Sequence, residues 1–565
     1  MSVRPWIAHY DEGVPPTLEP YPLHTLVDIA RGRSAERPGK TAMHFKGGVL
    51  SWSRLESESD AFAAALMETG LKKGDRVALL LPNSPQMIIA EFGIWKAGGV
   101  AVPLNPLYTE SELAFALREC GAETVVVLTS FYRKVLAVKA ATDVRRVIAS
   151  SIKEYLAPFK KLLFSLFMEK KDGHAVELDE GDFSFGDLVA RYLGTDVTFP
   201  DVGPDDTALF LFSGGTTGIP KCAVCTHRGL VAAGMQIAAW FSVVLEKGRD
   251  IIMLNMPLFH VYAQVGILGS ALVEGYPFSL VPNPRDLDDL LATIRKLRPS
   301  VLPGVPTLFT ALIGHPSVRR NPKLLSSLKL SVSAGAPLLR ETRDRFEQLT
   351  GARIIDAYSL TEAMTGSVLT PIFGTCKDGS VGIAAPDVEI RIVDPDDRHR
   401  EMALLQMGEV AIRAPQLMKE YWGRPCETAR VLRDGWLFTG DLGYLDEDGY
   451  LFVVDRKKDV IKPSGFQVWP REVEEVIASH PRVSEVGVAG VPDDYQGEAV
   501  KAWVVPVEAE ALPDENELRM FCREKLAPYK VPKFFEFAEA LPKSLVGKVL
   551  RRKLVEEHCR RASGA

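Results

Sequence analysis

Apolar runs that alternate with amphipathic stretches run through much of the chain. The runs at 74–82 (GDRVALLLP), 123–129 (ETVVVLT) and 208–212 (ALFLF) predict buried strands. The segment at 84–99 (SPQMIIAEFGIWKAGG) predicts a helix capped by glycines, and a second helix is expected from about Glu110 to Cys120. Strands that alternate with helices imply parallel βαβ units, so the pattern predicts a doubly wound α/β sheet.

Shorter patterns add detail around this framework. The segment at 41–52 (TAMHFKGGVLSW) predicts a hairpin with Gly47 and Gly48 at its turn. Further along, the segment at 327–341 (SLKLSVSAGAPLLRE) predicts a strand followed by a loop of small residues, and RIIDAYSLTEA follows it. A loop of small residues lets a flat ring approach the backbone.

The C-terminal part of the chain has its own pattern. It predicts a helix at Pro470–His480, strands at 483–492, 499–506 and 534–541, and a helix at Glu515–Leu526. A chain of 565 residues is too long for one core. We therefore expect a large N-terminal domain followed by a small α+β domain.

One uncharged run, Ile251–Val273, is long enough to span a bilayer. It contains Asn255, Pro257, His260 and Gln264. These polar and helix-breaking residues favour a buried strand and a loop that leads into a helix.

A second unusual segment, Ser151–Lys171, interleaves apolar residues with lysines. The residues concerned are Leu156, Phe159, Leu162, Leu163, Leu166, Phe167, Lys153, Lys160, Lys161, Lys170 and Lys171. A basic amphipathic segment can lie on an anionic membrane surface. The alternative is a helix that packs on its own domain and keeps the lysines in water.

Composition narrows the class of protein. Apolar residues make up 46% and charged residues 25%, which is the balance of an ordinary globular protein. The net charge of −6 argues against nucleic acid as a partner. Cys222 and Cys225 form a C-x-x-C, but no second pair follows, so zinc is not expected. Scattered cysteines and the lack of an apolar secretory signal near residue 1 favour a cytoplasmic location.

The densest group of candidate ligand-binding residues lies directly after the strand predicted at 208–212. Within nine residues, from Ser213 to Lys221, the chain carries three glycines, three hydroxyls and an ammonium. Glycines let the backbone approach a ligand, and free N–H groups with a nearby lysine suit a polyphosphate. The spacing is not that of a Walker A loop, since Ile219 and Pro220 separate the last glycine from Lys221.

This string, SGGTTGIPKC, resembles the phosphate-binding signature of the adenylate-forming superfamily. That superfamily includes acyl-CoA synthetases, aryl-CoA ligases, peptide-synthetase adenylation domains and luciferases. Gly214 replaces a serine of the usual pattern, a variant similar to bacterial long-chain fatty acyl-CoA synthetases, and Cys222 replaces a glycine. Later motifs match in order, so the resemblance covers nearly the whole chain.

The resemblance implies a fold and a domain organisation. An N-terminal adenylation domain at residues 1–457 would contain doubly wound α/β sheets and a β-barrel-like subdomain. A small mobile α+β domain would follow at residues 458–565, with a hinge at about Lys458. The family is also the reason to expect ATP, Mg²⁺ and CoA as cofactor and co-substrates, and a homodimer is a further expectation.

The same resemblance implies the site residues. Tyr358 would stack on adenine, Asp441 would accept the ribose hydroxyls, and Glu362 would hold Mg²⁺. Ser359 stands where the family has a glycine. The residues expected to bind ATP or AMP are Ser213, Gly214, Gly215, Thr217, Gly218, Gly335, Ala336, Pro337, Asp356, Ala357, Tyr358, Thr361, Asp441 and Arg456.

Catalysis is assigned to four residues by the same route: Lys548, Glu362, Thr216 and Lys221. Lys548 would cancel the repulsion between the carboxylate and the α-phosphate and stabilise the charge on phosphorus. A carboxylate is already a nucleophile, so this first step needs no general base. In the second half-reaction, a tunnel for CoA would be lined by Ser464, Gly465 and Phe466.

The class of carboxylic acid substrate is inferred from the segment HVYAQVGILG, which follows PLF. Amino-acid-activating relatives carry an aspartate here, and this chain has no acid, so a buried α-ammonium would lack a partner. His260 and an apolar wall are expected beside the acyl group. The wall residues are Val261, Tyr262, Val265 and Gly266.

These residues predict an AMP-forming fatty acid–CoA ligase. An aryl- or other carboxylate-CoA ligase is an alternative, because Lys462 and Gln467 resemble aryl-CoA ligases. A third hypothesis is an enzyme that passes acyl-AMP to a carrier protein, or a non-catalytic acyl-nucleotide binder.

Overall fold

The computed structural model describes residues 4–213, 220–336, 338–456, 459–493, 495–507, 513–543 and 549–562. The chain forms two compact units. The first contains residues 1–376, 382–389 and 412–437, and the second contains residues 377–381, 390–411 and 438–565. The domain boundary at 457 stays a prediction, and the expected hinge residue Lys458 lies outside the described residues.

The strands, numbered along the chain, are β1 Thr41–Phe45, β2 Gly48–Ser51, β3 Arg76–Leu80, β4 Val100–Pro103, β5 Thr124–Leu128, β6 Arg146–Ser150, β7 Phe183–Ser184, β8 Thr207–Ser213, β9 Lys221–Thr226, β10 Ile252–Leu254, β11 Phe278–Leu280, β12 Val301–Gly304, β13 Leu330–Ala334, β14 Arg353–Tyr358, β15 Val368–Leu369, β16 Ile383–Ala384, β17 Glu389–Val393, β18 Gly408–Arg413, β19 Leu432–Arg433, β20 Trp436–Leu445, β21 Leu451–Arg456, β22 Val483–Asp493, β23 Gly497–Pro506 and β24 Phe534–Phe537.

The α-helices are α1 Leu26–Glu36, α2 Trp52–Glu68, α3 Pro85–Lys96, α4 Glu110–Cys120, α5 Tyr132–Lys139, α6 Pro158–Leu163, α7 Phe185–Tyr192, α8 His227–Phe241, α9 Leu268–Glu274, α10 Leu287–Leu297, α11 Pro306–Gly314, α12 Pro316–Arg320, α13 Arg340–Thr350, α14 Pro425–Val431, α15 Pro470–Ala478, α16 Glu515–Lys525 and α17 Arg551–Ala562. Two segments, Phe164–Met168 and Tyr262–Ile267, form π-helical turns.

Two large sheets organise the first unit. One has the strand order β7-β6-β5-β3-β4-β8-β9 and is parallel except for the β8–β9 pair. The other has the order β16-β15-β14-β13-β12-β10-β11-β1-β2 and is parallel from β14 through β1. Strands covered on both faces explain the nearly continuous apolar runs, and the predicted doubly wound α/β architecture is confirmed.

Local capping explains where the helices begin and end. In α4, the Thr109 side chain accepts from the Glu112 N–H, the Glu112 carboxylate accepts from the Thr109 N–H, and Gly121 ends the helix in the left-handed conformation. The predicted bounds of this helix, Glu110–Cys120, are confirmed. The predicted hairpin also forms, but its turn residues are Lys46 (φ 47°) and Gly47 (φ 95°), and Gly48 already belongs to β2.

Two smaller sheets complete the fold. One has the order β17-β18-β20-β19, with β21 alongside β20. The other, in the second unit, has the order β22-β23-β24, with β22 antiparallel and β24 parallel to β23. The strand predicted at 534–541 is shorter than expected: β24 ends at Phe537, near the point where β23 ends in Pro506, which has no N–H to donate.

The run Ile251–Val273 forms β10, the buried π-helical turn and α9, as predicted. Among the described residues, no helix combines the length and the apolar character needed to cross a membrane.

Residues 4–18 form hydrogen bonds to residues 372–374 and 384 of the same unit. The Asp11 carboxylate accepts from the N–H groups of Ile372, Phe373 and Gly374 at 2.6, 3.0 and 2.7 Å. The Tyr10 hydroxyl donates to the carbonyl of Ala384 at 2.8 Å. These bonds hold residues 4–18 in a defined position on the first unit.

Candidate active site

The antiparallel pair β8–β9 brackets the predicted phosphate loop. Ser213 at the end of β8 lies opposite Lys221 at the start of β9, and both are buried. The loop itself, including Gly214, Gly215, Thr216, Thr217 and Gly218, lies outside the described residues. Because β9 returns alongside β8, Lys221 after the loop lies next to Ser213 before it.

Lys221 lies in a cluster of polar side chains within the first unit. Its ammonium forms an ion pair with Glu427 and lies 5.0 Å from the centre of the Tyr421 ring. The Tyr421 hydroxyl donates to Glu362 Oε1 at 2.6 Å. The structure thus links two predicted site residues, Lys221 and Glu362, through a tyrosine.

The backbone around Tyr421 explains how that ring is held. The segment 418–422 runs beside β9: the Val224 N–H donates to Glu420 O, and the Lys419 N–H donates to Val224 O, both at 2.9 Å. The Met418 N–H donates to Glu362 O at 2.8 Å. Backbone bonds therefore tie the Tyr421 segment to both β9 and Glu362.

Tyr421 and Glu427 were missed by the sequence analysis. The hydrogen bond from Lys221 is the main cause that lowers the pKa of Glu427, and Arg424 lowers it further. Burial raises the pKa of Tyr421, so its hydroxyl stays a donor. The stretch YWGRPCE carries no pattern that points to a ligand, although Pro425 does mark the start of α14.

The expected adenine site lies at the ends of β13 and β14. Gly335, in the left-handed region at φ 84°, and Ala336 follow β13, while Asp356, Ala357 and Tyr358 end β14. Asp356 is buried and forms an ion pair with Arg343 from α13. Pro337 lies outside the described residues.

The segment after Tyr358 has a constrained backbone. Thr361, Glu362 and Ala363 form one turn of 3₁₀ helix. Met364 and Thr365 then adopt φ values of 47° and 74°. Left-handed conformations in non-glycine residues are costly and cluster at functional sites.

The expected acyl residues lie on the buried π-helical turn and directly before it. His260 Nδ1 accepts from the Tyr262 N–H at 3.3 Å, and burial lowers the pKa of His260 to about 4, so it is neutral at pH 7. The Tyr262 hydroxyl donates to Val332 O at 2.8 Å and accepts from the Gly304 N–H at 3.2 Å. Val261 and Val265 are also buried.

At Gly266 this turn packs closely against Thr365, three residues after Glu362. A Cβ at Gly266 would lie 3.1 Å from Thr365 Cγ2 and 3.2 Å from its hydroxyl. A side chain at this position would therefore crowd Thr365, and the glycine avoids that crowding.

Two further residues near this turn were also missed. Asn83 holds the chain before His260: its amide donates to Leu254 O at 2.9 Å and Met256 O at 2.8 Å, and its carbonyl accepts from the Leu258 N–H at 2.9 Å. Glu91, on α3, is buried and accepts a hydrogen bond from Gln264.

In the second unit, Asp441 and Arg456 lie together as predicted. They are paired across β20 and β21, and Arg456 Nε lies 3.2 Å from Asp441 Oδ1. The neighbouring Asp455 accepts from the N–H of Arg471 at 2.9 Å.

The expected CoA-tunnel residues form a short 3₁₀ turn in the same unit. Ser464 has φ 50°, and its N–H donates to Gln496 O at 2.9 Å. Phe466 is 54% exposed and stacks on Tyr529 with ring centres 4.8 Å apart. Gly465 lies between them in the turn. Lys548 lies outside the described residues.

The donor set fits Mg²⁺ bound mainly by ligands other than protein side chains. Within the described residues, no three His, Cys, Asp or Glu side chains are grouped to hold a metal ion. Glu362, oriented by Tyr421, is a carboxylate beside the phosphate loop's flank. Mg²⁺ commonly binds through one or two carboxylates, phosphate oxygens and water, so Glu362 could hold it with ATP.

Comparison with known proteins identifies the class. Residues 31–422 match the family model described as "AMP-binding enzyme", and residues 472–548 match "AMP-binding enzyme C-terminal domain". The chain belongs to the AMP-binding enzyme family, and the resemblance to adenylate-forming enzymes is confirmed.

Individual members of this family are similar to the chain over nearly its whole length. The chain is 39% identical over 98% of both sequences to a long-chain-fatty-acid–CoA ligase of Bacillus subtilis. It is 37% identical, with the same coverage, to the enzyme of that name from Escherichia coli O157:H7. Among solved structures, ATP-bound MatB from Rhodopseudomonas palustris matches with a TM-score of 0.82 and 28% identity, over 95% of this chain and 99% of that one.

Proposed function

We propose that the protein is an ATP-dependent, AMP-forming fatty acid–CoA ligase. A fatty acid carboxylate attacks the α-phosphate of ATP and gives acyl-AMP and pyrophosphate. The CoA thiol then attacks the acyl carbonyl and gives acyl-CoA and AMP. The observation that carries this proposal is the near full-length similarity to two enzymes named long-chain-fatty-acid–CoA ligase.

In the first unit, Lys221 is proposed to contact the ATP phosphates with the loop residue Thr216. Glu362 is proposed to bind Mg²⁺, which would neutralise phosphate charge when bound. The hydroxyl of Tyr421 keeps the Glu362 carboxylate in one orientation, and its ring lies beside the Lys221 ammonium. Tyr421 is therefore assigned a positioning role.

In the second unit, Asp441 is proposed to accept the ribose hydroxyls, as an acceptor-only carboxylate can. The Arg456 guanidinium forms an ion pair with that carboxylate. Lys548 is proposed to act in adenylation, and the turn Pro463–Gly465 with Phe466 is proposed to line the CoA path.

A panel assay tests the substrate. AMP release is measured with ATP, Mg²⁺ and CoA on acetate, octanoate, palmitate, benzoate, coumarate and amino acids. A maximum on the alkyl acids supports the proposal. A maximum on aromatic acids would replace it with an aryl-CoA ligase, and release that requires a carrier protein would replace it with carrier loading.

Replacement of Lys548 tests the division of labour. Lys548→Ala should abolish adenylation and spare thioester formation from supplied acyl-AMP. Lys543→Ala is the control, because Lys543 donates to Glu485 at 2.6 Å and has no assigned catalytic role. Equal loss of both half-reactions in Lys548→Ala would contradict the assignment.

Tyr421→Phe tests the positioning role. Loss of a hydrogen bond to a charged group costs about 1.5–3 kcal/mol, so kcat/KM for ATP should fall at least about tenfold. Tyr132→Phe is matched, because the Tyr132 hydroxyl donates to the Asp182 carboxylate at 2.7 Å without an assigned role. An equal change in both variants would indicate a structural effect alone.

We also propose that the segment Ser151–Lys171 binds an anionic lipid surface, mainly through residues 158–171. Phe159, Leu162, Leu166 and Phe167 are 71, 57, 65 and 69% exposed. Lysines at 160 and 161 lie between Phe159 and Leu162, lysines at 170 and 171 follow Phe167, and all four are exposed. Exposed apolar side chains among lysines suit the interface of an anionic bilayer.

Vesicle sedimentation tests this proposal. Wild type should bind phosphatidylglycerol vesicles more strongly than phosphatidylcholine vesicles, and Leu166→Glu should lose most of that binding. Leu23→Glu is the control, because Leu23 is 70% exposed outside the segment. Equal binding by wild type and Leu166→Glu would disprove the proposal.

The homodimer remains a prediction. Sedimentation equilibrium of the purified protein measures its oligomeric state.

A further inference from the structure

A buried acid–amide pair supports the π-helical turn of the expected acyl site. Glu91 lies on α3, a helix whose twelve residues, Pro85–Lys96, are all buried. Glu91 is 0% exposed and Gln264 is 3% exposed. Gln264 belongs to the π-helical turn Tyr262–Ile267 and donates from Nε2 to Glu91 Oε1.

The hydrogen-bond inventory of this pair is incomplete when Glu91 is ionised. Glu91 Oε2 and Gln264 Oε1 are both buried and have no partner among the described residues. A carboxylate and an amide oxygen are both acceptors, so neither can satisfy the other. A proton on Glu91 Oε2 supplies the missing donor. The acid and the amide then have the donors and acceptors for two hydrogen bonds in a ring, which would satisfy both oxygens.

We propose that Glu91 is a neutral carboxylic acid that forms a cyclic pair with Gln264 and thereby positions the π-helical turn at the acyl group. The placement of the acyl group rests on the proposed function, whereas the protonated pair rests only on the contacts above. The proposal also explains how an acid can lie behind an apolar wall. A neutral pair presents no buried charge to a fatty acyl chain.

The surroundings agree with a neutral Glu91. Burial raises the pKa of Glu91 from 4.5 to about 8, against the opposite effect of the Gln264 hydrogen bond. His227 packs edge-on against Trp95 of α3, and burial lowers the pKa of His227 to about 4, so this ring is also neutral at pH 7. Apart from the exposed Glu68 on α2, the other charged side chains on α1, α2, α3 and β3 have partners of their own. The pairs are Lys96 with Glu56 and Asp60, Arg54 with Glu58, Arg31 with Glu56, Arg33 with Glu36, Asp28 with Thr25, and Arg76 with the carbonyls of Cys120 and Gly121.

Two variants of Glu91 separate the neutral pair from a carboxylate. Glu91→Gln keeps both ring hydrogen bonds, because an amide donor replaces the acid O–H. Glu91→Met keeps a similar volume and removes both bonds. Infrared difference spectra between wild type and Glu91→Gln at pH 7 should show the carbonyl band of a protonated carboxylic acid. Without that band, the proposal is wrong.

Stability against pH gives a second readout. Below pH 4.5 the carboxyl is protonated in the folded and unfolded states, and above it only the unfolded state ionises until about pH 8. Wild type should therefore lose stability relative to Glu91→Gln as pH rises from about 4.5 to about 8. A Tm difference that does not change with pH would overturn the neutral assignment.

Kinetics test the positioning role. Glu91→Met should raise KM for palmitate about tenfold and leave KM for ATP unchanged, and Glu91→Gln should restore the palmitate KM. If Glu91→Gln is as impaired as Glu91→Met, the neutral pair is refuted. If the infrared band is present and neither KM changes, the positioning role at the acyl group is refuted. A failure of the ligase proposal can be told apart from a failure of the Glu91 proposal, because wild type would then release no AMP with palmitate.

Discussion

The two π-helical turns in the described part of the first unit share a backbone pattern and have opposite surroundings. In Tyr262–Ile267 all six residues are buried. In Phe164–Met168 no residue is buried, and Leu166, Phe167 and Met168 are 65, 69 and 40% exposed. The sequence is apolar in both.

This contrast shows that a π-helical turn does not define a role by itself. Such turns widen a helix and often mark functional sites. In the buried turn, hydrogen bonds from other elements fix the tyrosine and glutamine side chains. The exposed turn directs apolar side chains away from the protein, among lysines. We infer a positioned substrate wall in the first case and a lipid contact in the second, and three predictions test the contrast.

The largest effect on stability is expected from Gly266→Val in the buried turn. The new Cβ would lie 3.1 Å from Thr365 Cγ2. Overpacking of this kind lowers the free energy of unfolding by about 1–3 kcal/mol. Urea denaturation measures this change. In the exposed turn, Leu166→Val should change it by less than about 0.5 kcal/mol. Similar losses at the two sites would remove the contrast.

A smaller effect is expected from the hydroxyl of Tyr262. Tyr262→Phe removes the hydrogen bonds to Val332 O and from the Gly304 N–H. The free energy of unfolding should fall by about 1 kcal/mol or slightly more. Phe167→Tyr adds a hydroxyl to the exposed turn and should leave it within about 0.5 kcal/mol. Thermal denaturation of both variants compares them, and an unchanged Tyr262→Phe would show that these bonds add no stability.

The smallest effect on stability is expected from Phe167→Ser. Its ring is 69% exposed, so the free energy of unfolding should change by less than about 0.5 kcal/mol. Binding to phosphatidylglycerol vesicles should nevertheless weaken several-fold. A large loss of stability would show that the ring packs against protein rather than lipid.

Sequence reasoning predicted the parts of the site that one short stretch encodes. Lys221 follows the glycines of its loop, and Glu362 follows Thr361, so local motifs reveal both. The parallel sheets were predictable for a similar reason, since each buried strand is a continuous apolar run. The roles of Lys221 and Glu362 remain predictions.

The residues that hold these groups could not be predicted. Tyr421 is 59 residues from Glu362, and Gln264 is 173 residues from Glu91. No local pattern joins such partners, because their proximity depends on the order of strands in the sheets. Glu91 lies in a helix that otherwise predicts an apolar core, and only its contact with Gln264 reveals it.

The hydrogen bonds that Asp11 accepts have a consequence for synthesis. Asp11 is separated by 361 residues from Ile372, the first of the three N–H groups that it binds. During translation the ribosome therefore releases Asp11 long before the N–H groups that it binds exist. Bringing these distant residues together costs chain entropy, which the three hydrogen bonds offset only after residues 372–374 have been made. Formation of these bonds is thus a late event in the maturation of the first unit, and a nascent chain stopped before residue 372 should leave the chain around Asp11 more open to protease.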